Sequence, residues 1–263
     1  MDPLTIVAAL AAGAAIGIVL SLVGGGGSIL AVPLLVYLVG VDSAHAAIGT
    51  GAVAVALNAA TGLAGHARAG NVKWPCALVF AGAGLAGALI GAEAGKAIDG
   101  ALLLALFGAL MIAVGAMLLR KRTGRENPAV RLTRASAGHL LPRLVPAGLA
   151  VGLLAGFFGI GGGFLIVPAL MAATGMPIGI AIGTSLVAVT ALGAGTAASY
   201  ALSGYVDWTL VGLMTLGGIA GAIPGQWASR RLSERKRLLN MGFAALVIAT
   251  GAYIVAESMA RLG

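Results

Sequence analysis

Six apolar stretches of about twenty residues each, nearly free of charged side chains, constrain this chain more than any other feature. A stretch of that length crosses the roughly 30 Å hydrocarbon core of a bilayer as one α-helix. Only 9% of the 263 residues are charged and 60% are hydrophobic, which excludes a disordered chain and leaves too few polar side chains for a water-soluble fold. The sequence therefore predicts an integral membrane protein. The stretches cover about 44–66, 74–94, 100–119, 179–202, 208–228 and 238–258.

The basic residues are clustered between these stretches. Of the 16 Lys and Arg residues, seven lie between Arg120 and Arg143 and five more between Arg230 and Arg237. Basic residues that flank membrane spans are typical of cytoplasmic loops. We therefore interpret the net charge of +8 as a sign of orientation in the membrane, and we predict no nucleic-acid partner.

An internal repeat divides the chain into two halves. A repeat of this length indicates two copies of one structural unit. Two of the only three tryptophans coincide in the alignment, which makes it specific. The matched pairs are 23–35 with 158–170, which aligns Pro33 with Pro168, then 48–50 with 182–184, and Trp74 with Trp208.

Each half shows the same hydropathy order, in which two apolar arms around a glycine run precede three full-length helices. The arms cover about 4–23 and 28–40, then about 144–158 and 164–175. We predict an all-α polytopic membrane protein of two inverted repeats, each a glycine-broken helical hairpin followed by three transmembrane helices. The first repeat covers 1–119, a basic cytoplasmic linker covers 120–143, and the second repeat covers 144–263.

The charges of the loops predict that the repeats are inverted. With the linker in the cytoplasm, hairpins that return to the side they entered also put the basic loops at 68–73 and 230–237 inside. Each half then crosses an odd number of times. Inverted repeats recur in secondary transporters, with the substrate site near the membrane midplane. The sequence leaves open whether the arms span fully, which gives ten crossings, or stop midway.

The two glycine runs are the predicted anion-binding site. Glycine breaks the helix and leaves backbone N–H groups uncovered, and the arm that follows begins with the positive end of its dipole. Two such segments facing each other would hold one oxyanion from both sides. The alternative is that the glycines only permit a tight turn and close packing. The predicted residues are Gly24, Gly25, Gly26, Gly27, Ser28, Gly159, Gly161, Gly162, Gly163 and Phe164.

Four further polar residues complete the predicted substrate site. Thr50, Thr184 and Ser185 lie near the starts of the matched helices, and Asn58 lies in mid-helix. Hydroxyls inside helices often bond their own preceding carbonyls, and an Asn in a membrane helix often bonds a neighbouring helix. A structural role is therefore the alternative for each of the four. Acidic residues are absent from the centres of the spans, which argues against a cation site.

The remaining polar side chains suggest little chemistry. His45 and His66 lie at opposite ends of one predicted helix, where each is a candidate for proton coupling or for an interfacial position. The single cysteine, Cys76, excludes an internal disulfide and a cysteine-cluster metal site. We predict no metal, no cofactor and no catalytic residue.

Several of these motifs together resemble the TauE/SafE family of membrane transporters, also called the sulfite exporter family. They are the paired glycine runs leading into Val-Pro at 32–33 and 167–168, the Ile-Gly-Thr that follows, and the Gly-x-Val-x-Trp at 70–74 and 204–208. The resemblance covers essentially the whole chain. It implies a bacterial or archaeal inner-membrane carrier that exports sulfite, sulfonates or other small organic anions.

The sequence therefore predicts a transporter that exports a small oxyanion, in the first place sulfite or an organosulfonate, by alternating access. A proton or the membrane potential is the expected driving force. The expected partners are the anionic substrate and membrane lipids, and a homodimer is left open. The alternatives are an anion channel and, with less support, an intramembrane serine protease that pairs Ser28 with His45 or His66.

Overall fold

The computed structural model of the chain describes residues 2–119, 130–159, 163–231 and 236–262. Across these ranges the protein is helical, and none of the described residues forms a strand. Eight of the described helices are long and apolar enough to cross a membrane. The predicted all-α polytopic membrane protein is confirmed. The predicted site residues Gly161 and Gly162 and residues 120–129 of the predicted linker lie outside the described residues.

The first half consists of four long helices and one short arm. The arm, called α2 here, is a continuous run of three pieces, a 3₁₀ helix Gly24–Leu30, an α-helical turn Ala31–Pro33 and a π-helix Leu34–Val39. It ends at Gly40, whose φ of 81° lies in the left-handed region that favours glycine. The long helices are α1 (Pro3–Val23), α3 (Ala44–Arg68), α4 (Trp74–Lys96) and α5 (Gly100–Leu119).

The second half repeats this order. Its first helix begins at Arg134 rather than near residue 144, because Thr133 and Ser136 form a capping box there. The last part of the predicted linker is therefore helical. The short arm, α7, has the 12 residues expected from the hydropathy. The helices are α6 (Arg134–Phe157), α7 (Gly163–Thr174), α8 (Ile178–Leu202), α9 (Trp208–Arg231) and α10 (Lys236–Leu262).

The largest helix contacts each join a helix of one half to a helix of the other half. Helix α1 packs against α9, and α6 packs against α4. In the sequence repeat α6 is the counterpart of α1 and α9 is the counterpart of α4, so these two contacts are equivalent. The other large contacts join counterparts directly, α3 with α8 and α5 with α10. The two halves therefore contact each other through equivalent sets of helices.

Counterpart helices that touch run antiparallel. Near the start of α3, Gly49 lies beside Tyr200 of α8, whereas Gly62, more than three turns farther along α3, lies beside Leu186. Residue numbers therefore rise along α3 as they fall along α8, and the same holds for α5 and α10. Helices α1 and α9 run parallel, as do α4 and α6.

Glycines allow the parallel pairs to approach closely. Gly17 of α1 lies against the backbone of Gly218 in α9, and Gly152 of α6 lies against the backbone of Gly84 in α4. A Cβ atom on Gly17 or Gly152 would collide with main-chain atoms of the partner helix. Small residues at helix interfaces are a main source of packing energy in lipid, where apolar burial contributes little between helices.

Charged side chains are segregated to the two ends of the bundle. The hydrogen bonds from Lys96 to Ser203 and from the Asp207 N–H to Thr50 bring the loops of one end together. Lys96 is the one basic side chain that the structure describes at that end. We call this the acidic end, after Asp42, Glu93, Asp99, Asp207 and Glu257, and the opposite one the basic end, after Arg68, Lys73, Arg131, Arg134 and Arg143.

The short arms carry the chain from one end of the bundle to the other. Helix α1 runs parallel to α9 toward the basic end, and α2 brings the chain back to Asp42 at the acidic end. Helix α7 runs the other way, from Gly159, which lies beside Ile48 at the acidic end, to α8, whose Gly183 lies beside Asn71 at the basic end. Both short arms therefore connect opposite ends of the bundle, although α7, at 12 residues, is shorter than the eight helices that are long enough to cross a membrane.

Replacing Gly152 with Leu is expected to destabilise the protein, because the new side chain meets the backbone of Gly84. Overpacking at a tight site typically costs about 1–3 kcal/mol. Gly212→Leu in α9 is the matched control, since nothing lies within 4 Å of a Cβ added there. Thermal unfolding in detergent should show a clearly lower midpoint for Gly152→Leu; equal midpoints for the two variants would contradict the close contact of α4 and α6.

Candidate functional site

Asn58 places a polar side chain in the middle of the bundle. The residue is only 5% exposed, and its Nδ2 donates a hydrogen bond to the carbonyl of Met214 in α9 at 3.4 Å. Its Oδ1 has no hydrogen-bond partner among the described residues. The amide lies so close to Gly218 that a side chain there would displace it. Asn58 therefore joins α3 to α9 and keeps one amide hydrogen and its oxygen available.

A narrow cavity extends from Asn58 toward the basic end, between α1, α3, α8 and α9. It measures only about 10 Å³, which is room for roughly one water molecule. Its lining includes the polar side chains of Ser21, Asn58 and His66, together with the bare backbone of Gly17, Gly62 and Gly218. Among the described lining residues there is no carboxylate, so the donors that face the cavity are neutral amide, hydroxyl and imidazole groups.

The short arms that follow the two glycine runs meet inside the bundle. The 3₁₀ helix of α2 packs directly against α7. Ser28, Gly163 and Phe164 are buried, and Gly27 lies against the backbone of Leu20 and the carbonyl of Ile16 in α1. The first residues of both arms therefore belong to the protein interior. Gly24, Gly25 and Gly26 form the first turn of the same 3₁₀ helix.

The two bends themselves lie toward opposite ends of the bundle. Gly159, whose φ of 63° requires glycine, lies against the side chain of Ile48 at the acidic end. The first bend follows Val23 beside the last turns of α9 at the basic end. Gly159 and the first glycine run are therefore not placed side by side, and the Asn58 cavity is lined by none of the described glycine-run residues. Anion binding at the glycine runs stays a prediction.

Thr50 and Thr184 make equivalent hydrogen bonds across the two halves. Thr50 Oγ1 accepts from the N–H of Asp207 at 3.0 Å, and Thr184 Oγ1 accepts from the N–H of Lys73 at 3.1 Å. Each hydroxyl is buried and holds the residue just before α9 or α4 of the other half. Because α3 and α8 run antiparallel, the two hydroxyls lie at opposite ends of the bundle. The structure does not bring them together at one site.

The other predicted polar residues are distributed in the same way. The Ser185 hydroxyl donates to the carbonyl of Ile182 at 2.8 Å, which is the structural alternative for this residue. His66 lines the Asn58 cavity, whereas His45 lies at the acidic end, where its ring centroid is 5.5 Å from that of Tyr205.

The sequence indicated Asn58 as a candidate but not the residues that surround it in the structure. Ser21, Gly17 and Gly218 come from α1 and α9, which are far apart in the chain. Glycines are common in this sequence, so neither of these two stands out. Gly17 and Gly218 can be recognised as lining one cavity only when the packing of α1 against α9 is known.

Replacing Thr184 with Val is expected to lower stability, because the Lys73 N–H loses its acceptor while the shape of the side chain is kept. The loss should be about 1 kcal/mol, or a melting temperature lower by about 2–4 °C. Thr190→Val in the same helix is the control, since the Thr190 hydroxyl bonds only the Leu186 carbonyl of its own helix. Equal melting temperatures for the two variants in detergent would show that the bond to Lys73 contributes no stability.

Comparisons with known proteins identify the family of the chain. The family model described as "Sulfite exporter TauE/SafE" matches residues 9–254. A "Probable membrane transporter protein" of Xylella fastidiosa is 44% identical over 258 residues, which is 98% of each chain. The "Probable membrane transporter protein YdhB" of Bacillus subtilis is 30% identical over 211 residues, 80% of this chain and 84% of the relative.

A more distant relative is the "Probable membrane transporter protein MJ0441" of Methanocaldococcus jannaschii. It is 29% identical over 187 residues, 68% of this chain and 66% of the relative. No solved structure gives a significant match. The eight apolar helices, the repeated halves and a family match over almost the whole length agree with one another, and the chain belongs to the TauE/SafE family of membrane transporters.

Proposed function

We propose that the protein is an alternating-access carrier that exports a small oxyanion, sulfite or an organosulfonate, across the cytoplasmic membrane. The two halves act as inverted repeats around the centre of the bundle, which opens toward one end and then toward the other. The antiparallel contacts of α3 with α8 and of α5 with α10 support this arrangement, because counterpart helices of inverted repeats run in opposite directions.

The observation that carries the proposal is the Asn58 cavity. A membrane-embedded site for an anion needs hydrogen-bond donors without carboxylates, since an unpaired negative charge would repel the substrate. The Asn58 amide, the Ser21 hydroxyl and the His66 imidazole meet this requirement, and the glycines beside them leave backbone accessible. The family description, sulfite exporter, supports sulfite within this class of ligand.

The size of the cavity supports a mechanism in which the helices move. Room for about one water molecule is too little for a hydrated oxyanion, so the cavity must widen before a substrate enters. Its walls belong to both halves, with α1 and α3 on one side and α8 and α9 on the other. Gly17 and Gly218 hold α1 and α9 together, so the cavity would widen by movement of α3 and α8 relative to this pair.

We propose that the basic end faces the cytoplasm, as the positive-inside rule indicates. The inside-negative membrane potential then favours outward movement of an anion by about 2.3 kcal/mol per charge for each 100 mV. His66, at the basic-end side of the cavity, is the proposed proton carrier if transport is coupled to a proton. The first residues of α2 and α7, with Thr50, Thr184 and Ser185, remain a proposed second contribution to anion binding.

Replacing Asn58 with Leu or Asp is expected to reduce sulfite flux by roughly tenfold or more, because a hydrogen bond to a charged group contributes about 1.5–3 kcal/mol. Leu occupies the equivalent position of the other half, at Leu192. Asp keeps the shape of the side chain while adding a negative charge. Uptake of radiolabelled sulfite into proteoliposomes, over a range of concentrations, is the measurement.

Thr61→Val is the matched control for this experiment. Thr61 lies one turn beyond Asn58, and its hydroxyl donates only to the Asn58 carbonyl of its own helix. Wild-type flux that saturates with sulfite supports a carrier, whereas flux that rises linearly to high rates would favour the channel alternative. Full sulfite flux in both Asn58 variants would rule out the proposed site.

A further inference from the structure

The residues that line the cavity have counterparts in the other half, at the acidic end. Asn58, Gly62 and His66 follow one face of α3 at intervals of four residues. Their counterparts on α8 are Leu192, Thr196 and Tyr200. The glycines of the cavity correspond in the same way, because Gly17 and Gly218 fall on Gly152 and Gly84, the pair that joins α6 to α4.

The counterpart positions are closed and contain two unpaired hydroxyl groups. Thr196 and Tyr200 are 0% exposed, whereas Gly62 and His66 are half-buried. Neither Thr196 Oγ1 nor the Tyr200 OH has a hydrogen-bond partner within the part of the chain that the structure describes. Burying an unpaired hydroxyl destabilises a protein, and Val or Phe would fill the same space without that cost. Each such group requires an explanation, which a water molecule, a ligand or a second state with a protein partner can supply.

A polar network covers Tyr200 at the acidic end. Lys96 donates to Glu93 Oε1 at 2.7 Å and to Ser203 Oγ at 2.9 Å, and the Ser199 hydroxyl donates to the same Glu93 oxygen at 2.8 Å. The Lys96 Nζ also lies 5.9 Å from the centroid of the Tyr200 ring. This Lys96 network joins the last turn of α4 to the last turn of α8.

The basic end cannot form the same network. The counterparts of Glu93 and Lys96 are Trp227 and Arg230, and the counterparts of Ser199 and Ser203 are Gly65 and Ala69. The carboxylate and both serine hydroxyls are therefore absent from the equivalent positions in the sequence. The Lys96 network is therefore specific to the acidic end, although the helices around the two ends are equivalent.

We propose that Thr196 and Tyr200 form a second oxyanion-binding position, on the acidic-end half of the transport path, which opens when the Lys96 network breaks. This inference rests on the proposed carrier function and extends its path beyond Asn58. The two hydroxyls supply neutral donors one turn apart on the same face of α8. Lys96 supplies the positive charge above them, because its side chain is only 15% exposed, whereas the Glu93 side chain is 68% exposed and its charge is screened by solvent.

The first test removes the hydroxyls and keeps the shapes. Thr196→Val and Tyr200→Phe are each expected to slow sulfite flux by roughly tenfold, as for a hydrogen bond to a charged ligand. Their melting temperatures should be unchanged or higher, because an unpaired buried hydroxyl is removed. A purely structural role would leave the flux unchanged, and that result would overturn the proposal. Thr190→Val on the same helix is the control for flux and stability.

The second test does not depend on the substrate. In a Cys76→Ala background, Thr196→Cys is expected to resist a membrane-impermeant maleimide applied from either side. Lys96→Met should make it react from the acidic end. Asp42→Cys and Arg68→Cys, which are exposed at the acidic and basic ends, report which side the reagent has reached.

The double variant Ser199→Ala, Ser203→Ala serves as a second way to break the network if Lys96→Met does not fold. Thr196→Cys that stays unreactive from the acidic end in folded network variants would overturn the inference. Labelling as expected without any sulfite flux in the wild type would contradict the proposed substrate and leave the acidic-end path supported.

Discussion

The close contact of glycine-lined helix backbones is the interaction on which the rest of the structure depends. In lipid, apolar side chains gain little by leaving one apolar environment for another, so helices associate where their surfaces fit. Gly17 against Gly218 and Gly152 against Gly84 provide that fit at two equivalent crossings. These crossings fix α1 on α9 and α6 on α4, and the exchange of partners interlocks the two halves. Without it, the short arms α2 and α7 would lack the walls that bury them.

Buried polar groups also hold the two halves together. Non-helical backbone at membrane depth is unfavourable unless the protein supplies hydrogen-bond partners. Thr50 and Thr184 supply acceptors to the loops before α9 and α4, once at each end of the bundle. The glycine bends lie near those ends and continue into helical arms. Threonine hydroxyls therefore satisfy two of the loop N–H groups, and the described middle of the bundle is helical.

The functional proposals rest on differences between the two halves at equivalent positions. Two identical halves would have identical paths toward both ends, whereas this chain has Asn58 and His66 on one side and Leu192 and Tyr200 on the other. The basic-end side has a narrow cavity with neutral donors, and the acidic-end side is covered by the Lys96 network over two unpaired hydroxyls. Different closing interactions at the two ends would let a carrier favour one conformation at rest.

The sequence alone determined the class of protein, the two halves and the helix bounds to within a few residues at most positions. Its apolar stretches are long enough to span a bilayer, and its repeat aligns tryptophans and prolines. Its motifs resemble those of the TauE/SafE family. It missed the start of α6, because the capping box of Thr133 and Ser136 lies in a stretch whose charges look like a linker. It also indicated Asn58 as a candidate, since an amide in mid-helix is conspicuous among apolar neighbours.

Only the tertiary structure decided where the candidate site lies. Glycine runs predict bends in the chain. The depth of a bend in the bundle depends on which helices pack beside it. Those helices are set by contacts between residues some two hundred positions apart in the sequence. Gly17 and Gly218 are ordinary glycines in the sequence and become cavity walls only once α1 lies on α9. In the same way, the Thr196 and Tyr200 hydroxyls are unremarkable as sequence. They become candidates for ligand binding only because packing buries both of them without a hydrogen-bond partner among the described residues.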